Sequence, residues 1–290
     1  GGLPTDQPSD WPARDDVANY IHQIRTRLNQ AWTDNDNLQL LLNVAIEHRW
    51  MHAETLTYML HQLPLDHRNC PIQTETPASQ PFQPQSIKIP AGPAILGISD
   101  PTIFGWDNEF PSHKIDVEAF SIDRYKITNG QYLNFVHDGA YENRSLWSEA
   151  AWQWQRQNQI RHPAFWKPQG NGFIYRAFCE EIPMPLDWPV YVSHAEASAY
   201  AKWVGRRLPS EAEWHRAAQG APTEPGYFDV HRWNPTPVNA FPEAGSHWGV
   251  QGLIANGWEW TSTPFAPLPG FVPFPFYPGY SADFFDRRAF

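Results

Sequence analysis

The chain has 290 residues, a formal net charge of −10 and two cysteines. The negative charge argues against a surface that neutralises nucleic-acid phosphates. Two cysteines exclude a disulfide framework and a cysteine-rich zinc or iron–sulfur site. No stretch approaches the roughly 20 apolar residues that span a bilayer, and the polar N-terminus has no signal-peptide core. We therefore expect a cytoplasmic protein of two domains, with no nucleic-acid or membrane partner.

Two helices are predicted first along the chain. Apolar residues recur with helical spacing from Asp15 to Trp32, and a polar turn then leads into a second helix from about Leu38 to Leu63. Two helices alone leave apolar faces uncovered, so this pair needs further packing partners. Residues 1–69 are accordingly assigned to a partial helical bundle.

The composition changes after this helical segment. Residues 70–86 are rich in Pro, Gln, Ser and Thr, which is typical of a linker. Beyond them, long connections rich in Trp, Pro and Gly separate short strand-like and helical runs. The strand-like runs are at 94–98 and 114–117, and the helical runs are at 129–136 and 194–204. The predicted fold class is α+β, with a loop-rich second domain over residues 87–290.

A pair of histidines on the second predicted helix carries the candidate chemistry. His48 and His52 are four residues apart, so a helix places both imidazoles on one face, one turn from each other. Such a pair can bind one divalent metal, and imidazole suits iron, zinc, copper or nickel. Because the chain has 12 histidines, a chance pair at this spacing is not rare. The apolar residues around the pair predict a helix buried over much of its circumference, where imidazoles need partners.

Three further residues on these helices carry an imidazole or a carboxylate. Glu54 lies two residues after His52 and is placed to orient a ligand from behind it. His61 is expected at a solvent-facing helix end. His22, on the first helix, fits a core or surface position better than a ligand position.

Two segments of the second domain resemble a known pair of signatures. Residues 203–214 read WVGRRLPSEAEW, and residues 256–262 read NGWEWTS. They are similar to the GxRLPTEAEW and GNVWEWTSS signatures of the formylglycine-generating-enzyme-like fold, which is C-type-lectin-like, with a small departure at the start of the second. Because that fold hosts several functions, this resemblance alone assigns none.

Other segments resemble one branch of that fold, the ergothioneine-biosynthetic sulfoxide synthases. The histidine helix matches the H-x-x-x-H-x-E motif of the branch's DinB-like N-terminal domain. The matching segments of the second domain are FGWDNE (104–109), DGAY (138–141), PFAPLPGF (264–271) and YSADFFD (280–286). The resemblance runs from about residue 11 to residue 286, and it identifies a partial DinB-like bundle followed by a formylglycine-generating-enzyme-like domain.

The resemblance implies a chemistry. Members of this branch use Fe(II) and O2 to join the thiol of cysteine or γ-glutamylcysteine to the imidazole C2 of trimethylhistidine (hercynine), giving a sulfoxide. His48 and His52 correspond to two of the three iron ligands. Tyr277 corresponds to a proton donor in part of the branch, and Tyr280 is the adjacent alternative. The competing interpretation of Tyr277 is a packed aromatic side chain in a Pro- and Phe-rich loop.

The match is incomplete at both ends. The branch's first iron histidine and its later RGGSW and RNxF/W segments have no counterpart in these 290 residues. We therefore expect the sequence to be part of a longer protein. Alternatives that stay open are a selenoneine or ovothiol synthase and a catalytically decayed binding module. A formylglycine-generating oxidase is disfavoured because Cys70 and Cys179 do not form its late cysteine pair. The sequence assigns no oligomeric state.

Overall fold

The computed structural model describes residues 7–31, 36–68, 81–100, 102–222 and 233–285. The chain divides into two compact units, Gly1–Thr55 and Leu56–Phe290. The predicted domain bounds of 1–69, 70–86 and 87–290 stay predictions, and residues 70–80 of the predicted linker, with Cys70, lie outside the described residues.

The first unit is helical. Helix α1 spans Arg14–Ala31 and helix α2 spans Asp36–Gln62, which confirms both predicted helices; the division between the units falls inside α2. Asp15 and Asp16 lie in the first turn of α1, where carboxylates favour the positive end of the helix dipole. Along α1, Tyr20 and Leu28 are each 64% exposed. Within the described residues, no helix has the length and hydropathy needed to cross a bilayer.

The second unit combines short antiparallel strands with short helices, which confirms the α+β class. After α2, its helices are α3 (Asn129–His137), α4 (Glu149–Gln157), α5 (His194–Trp203) and α6 (Glu211–Ala217). Its strands are β1 (Ser86–Ile89), β2 (Gly92–Leu96), β3 (His113–Val117), β4 (Phe120–Asp123), β5 (Trp166–Gln169), β6 (Gly172–Arg176) and β7 (Glu181–Pro183). The predicted strands near 94–98 and 114–117 correspond to β2 and β3, and the predicted helices to α3 and α5.

The sheets of the second unit are small. Strand β1 pairs with β4, with Ser86 opposite Asp123, and β2 pairs with β3, with Gly92 opposite Val117. Strands β5, β6 and β7 form a three-stranded sheet. Single turns of 3-10 helix lie between these elements at Leu65–His67, Asp107–Glu109 and Arg144–Leu146. Two more follow α6, at Pro242–Ala244 and Ala282–Phe284, and one precedes α1, at Pro8–Asp10.

Aromatic side chains form the largest core of this unit. The most deeply buried are Tyr132, Phe135, Trp166 and Tyr175, each at most 2% exposed. The indole Nε1 of Trp166 donates to Asn129 Oδ1 at 3.1 Å, which satisfies its polar atom inside the core. Because each aromatic ring buries a large apolar area, a domain with few strands still obtains a substantial core.

Three helices of the second unit begin with the same reciprocal cap. In each, a hydroxyl accepts the N–H three residues on, and a Gln or Glu side chain accepts the N–H of the capping residue. The pairs are Thr128 with Gln131, Ser193 with Glu196, and Ser210 with Glu213. Ser210 is thus the capping residue of α6, and Glu211 is the first residue of the helix.

The Lys126 side chain binds the NGWEWTS segment (256–262). The Lys126 ammonium donates to the Gly257 carbonyl at 3.1 Å and pairs with Glu259 at 2.5 Å. The second oxygen of Glu259 accepts the Trp214 Nε1–H at 2.6 Å. The side chains of Lys126 and Glu259 are 9% and 21% exposed, so the pair is largely removed from water. Burial raises the pKa of the Glu259 carboxyl, and Lys126 counteracts that rise.

We expect Lys126→Met to lower the free energy of unfolding by about 1–3 kcal/mol, because it leaves the Glu259 carboxylate without its counter-charge. The matched control is Lys167→Met, whose pair with Glu181 is 50% and 31% exposed. That change should cost less than about 1 kcal/mol. Urea denaturation at pH 7 measures both, and equal small losses would contradict a structural role for the Lys126 pair.

Candidate metal centre and tyrosine loop

The structure brings His48 and His52 together on one face of α2. Their Nε2 atoms are 3.1 Å apart, and their ring centroids are 4.5 Å apart. His48 is half-buried and His52 is exposed. The separation also permits a hydrogen bond between the two rings when one Nε2 carries a proton.

This spacing fits a shared metal ion. Two nitrogen ligands at about 2.1 Å from one ion, at a right angle, lie about 3.0 Å apart. Neutral imidazoles suit iron and other transition metals, so the donor chemistry fits as well. Within the described residues, no group of three or more His, Cys, Asp or Glu side chains could hold a metal ion. The separation and the donor atoms of the pair are therefore compatible with two ligand positions on one ion.

The surroundings of the pair differ from the expected buried helix. Of the described side chains of α2, Val44 and His61 are buried, whereas Leu41 and Met59 are 43% and 60% exposed. The expectation of burial over much of the circumference is therefore wrong for this structure. An apolar pattern shows which face favours a partner, but it does not identify the surface that covers that face.

The prediction for the exposure of His61 is also wrong. It was expected to face solvent, yet it is 8% exposed and stacks on Phe165 with ring centroids 3.9 Å apart. Its Nε2 donates to the Arg176 carbonyl at 3.0 Å. In return, the Arg176 guanidinium donates to the Gln62 and Leu63 carbonyls at the end of α2. These reciprocal bonds fix the last turn of α2 to strand β6.

Burial makes His61 a neutral residue. Desolvation lowers the pKa of its imidazole, and the nearby Arg68 and Arg176 charges lower it further. Two positive groups beside the ring make an added proton costly. The hydrogen bond to Arg176 O favours the tautomer with the proton on Nε2.

The two candidate tyrosines lie on one irregular segment, the tyrosine loop, which spans residues 274–281. Tyr277 N–H donates to the Phe274 carbonyl at 3.0 Å, and Tyr280 N–H donates to the Tyr277 carbonyl at 3.1 Å. Their rings are 5.4 Å apart. Tyr280 stacks almost parallel on Trp106, with centroids 3.8 Å apart, and both tyrosines are half-buried. His48 and His52 belong to the first compact unit, and the tyrosines belong to the second.

The second unit also contains a groove that the sequence did not reveal. Its volume is about 630 Å³, and it lies beside strand β4. Phe120, Tyr191, Trp214 and Trp258 line it, together with the Lys126–Glu259 pair. None of the four predicted site residues lines the groove. Its walls come from segments far apart in sequence, and the available signals were the two signatures, WVGRRLPSEAEW and NGWEWTS, which both contribute to the lining.

Comparison with known proteins identifies the second unit. The sulfatase-modifying factor enzyme 1-like domain matches residues 73–282. The chain belongs to the sulfatase-modifying factor enzyme 1-like family. Within this family, the formylglycine-generating enzyme of Thermomonospora curvata is 31% identical over 224 residues, which cover 60% of this chain and 69% of that protein.

Other relatives place the chain near one branch of the sulfatase-modifying factor enzyme 1-like family. The hercynine oxygenase of Mycolicibacterium smegmatis is 34% identical over 266 residues, covering 84% of this chain and 60% of that protein. That of Mycobacterium tuberculosis is 38% identical over 197 residues, covering 62% and 45%. The predicted resemblance and the predicted fold class are confirmed. The chain spans about half the length of these hercynine oxygenases.

The lowered pKa of His61 predicts a pH dependence of stability. Because the folded pKa is below about 6.5, this contribution is present above pH 6.5 and is lost as pH falls toward the folded value. His61→Phe keeps an aromatic ring on Phe165 and removes the titration. It should flatten the fall in unfolding free energy below pH 6.5 by up to about 1.4 kcal/mol per pH unit.

The control for this prediction is His67→Phe, at an exposed position in the turn that follows α2. It should leave the slope of the wild type unchanged. Denaturant titrations at several pH values between 5 and 7.5 measure all three proteins. If His61→Phe retained the full slope, the neutral buried imidazole would not be the cause.

Proposed function

We propose that this chain belongs to an iron- and oxygen-dependent sulfoxide synthase of ergothioneine biosynthesis. Its substrates would be trimethylhistidine, O2 and the thiol of cysteine or γ-glutamylcysteine. The observation that carries the proposal is the His48–His52 pair, with Nε2 atoms 3.1 Å apart, in a chain similar to two hercynine oxygenases. The tyrosine loop of the second unit supports it.

The overall reaction balances without a further reductant. The imidazole loses its C2 hydrogen and the thiol loses its proton as the C–S bond forms. One atom of O2 becomes the sulfoxide oxygen, and the other leaves as water with those two hydrogens. The four electrons that O2 accepts therefore come from the two organic substrates.

His48 and His52 would hold the iron through Nε2. When bound, Fe(II) supplies redox chemistry and open coordination positions at which a thiolate and O2 can meet. Glu54, which is half-buried on the same helix, would orient a ligand ring.

Tyr277 would serve as the proton donor through its phenol oxygen. A half-buried phenol can donate its proton to a neighbouring oxygen as negative charge develops there. Tyr280 is assigned the supporting position, because its ring is stacked on Trp106 at 3.8 Å. Its hydroxyl remains the alternative donor.

The iron assignment predicts a specific loss on substitution. His52→Ala removes one of the two imidazoles, so the Fe(II) content of the purified protein should fall at least about tenfold. The control is His22→Ala, which removes an exposed imidazole from α1. Metal analysis after anaerobic loading measures the three proteins. Equal iron content in wild type and His52→Ala would overturn the metal site.

The reaction itself has a separate test. Fe(II)-loaded protein, expressed from its natural gene, is mixed anaerobically with trimethylhistidine and γ-glutamylcysteine and then exposed to air. We expect O2 consumption and a coupled sulfoxide detected by mass spectrometry, with cysteine as the second thiol tried. Iron binding without a coupled product from either thiol would reject this function while leaving the metal site standing.

A further inference from the structure

A buried carboxylate lies beside the tyrosine loop. Asp107, in the FGWDNE segment, is 1% exposed and opens the short 3-10 helix Asp107–Glu109. A carboxylate that loses its water requires hydrogen-bond donors from the protein. The hydrogen-bond donors to the Asp107 carboxylate therefore identify the segment that this residue keeps in place.

Both partners come from the tyrosine loop. The Ser281 hydroxyl donates to Oδ1 of Asp107, and the Phe274 N–H donates to Oδ2 at 3.2 Å. Ser281 is itself 2% exposed. The two contacts bracket residues 274–281, so a single side chain holds both ends of the segment that carries Tyr277 and Tyr280.

The neighbouring residue adds a third contact. Trp106 precedes Asp107 and stacks on Tyr280, with ring planes 18° apart. The Trp106 N–H is in turn fixed by the Glu109 carboxylate at 2.7 Å. The loop is therefore attached to the FGWDNE segment at its start, at Tyr280 and at Ser281, and Tyr277 lies between these attachments.

We propose that Asp107 is a positioning residue that sets the location of the Tyr277 phenol. This inference rests on the proposed function, in which Tyr277 supplies a proton. Asp107 does not touch the reacting atoms and acts through the loop. Because a displacement of about 1 Å can cost a hundredfold in rate, loss of one end of the loop should affect turnover more than substrate binding.

The test is a double-mutant cycle in the Fe(II)-loaded protein from its natural gene. Asp107→Ala removes both carboxylate oxygens, so the Ser281 hydroxyl and the Phe274 N–H both lose their acceptor. It should lower kcat about tenfold or more, with KM and iron content nearly unchanged. In a Tyr277→Phe background the same substitution should change kcat less than twofold, because the group that it positions is already absent.

A matched control separates positioning from general loss of stability. Glu196 is a carboxylate of similar burial, 4% exposed, that accepts the Tyr141 hydroxyl at 2.6 Å in the aromatic core. Glu196→Ala should destabilise the protein, and its effect on kcat should be the same with and without Tyr277. If the effects of Asp107→Ala and Tyr277→Phe multiply fully, the positioning role is overturned.

Hydrogen exchange gives a readout that does not depend on turnover. In Asp107→Ala, the amide of Phe274 and those that follow to Ser281 should exchange faster, while the core helices α3 and α5 keep their protection. Ser281→Ala removes one of the two contacts and should give a smaller change of the same kind, which covers the case in which Asp107→Ala does not fold. Unchanged exchange at 274–281 would reject the inference, whereas a missing sulfoxide product in wild type would reject the proposed function alone.

Discussion

The second unit depends on side chains that satisfy the backbone of long irregular segments. Its strands are only three to five residues long, so sheet hydrogen bonds cannot account for most buried N–H and C=O groups. Lys126 provides donors to the Gly257 carbonyl, and the Asp107 carboxylate accepts the Phe274 N–H. Asn256 does both for Thr236, accepting its N–H at 2.9 Å and donating to its carbonyl at 3.0 Å. Each contact replaces water at a point where no neighbouring strand is available.

Local patterns carried the sequence predictions that succeeded. Helical spacing predicted α1 and α2, and spacing by four placed His48 beside His52. The burial of His61 and the role of Asp107 were missed because both depend on distant partners. His61 is bound to Arg176, 115 residues away, and Asp107 is bound to residues 167 and 174 positions later. Spacing within one helix or turn contains no information about such contacts, so burial could not be assigned from it.

The candidate chemistry is divided between two kinds of structure. The imidazole pair needs one regular helix turn, which is rigid and fixes the separation of two nitrogens. The phenol of Tyr277 comes from an irregular loop, whose position is maintained by a buried charge and a stacked indole. Because the two sets of residues lie in different compact units, the proposed iron binding and the proposed proton donation can each be altered by substitution without removing the other's supports.

Each buried charged group is far in sequence from its partner, and this separation affects folding during translation. Ribosomes release the N-terminal part first, so Asp107 and Lys126 emerge well before their partners. Glu259 is synthesised 133 residues after Lys126, and Ser281 is synthesised 174 residues after Asp107. Burying either charge alone is costly, so a nascent chain that has reached residue 220 keeps both in water. The first half of the domain should therefore stay open during translation and close when residues 257–281 have left the exit tunnel.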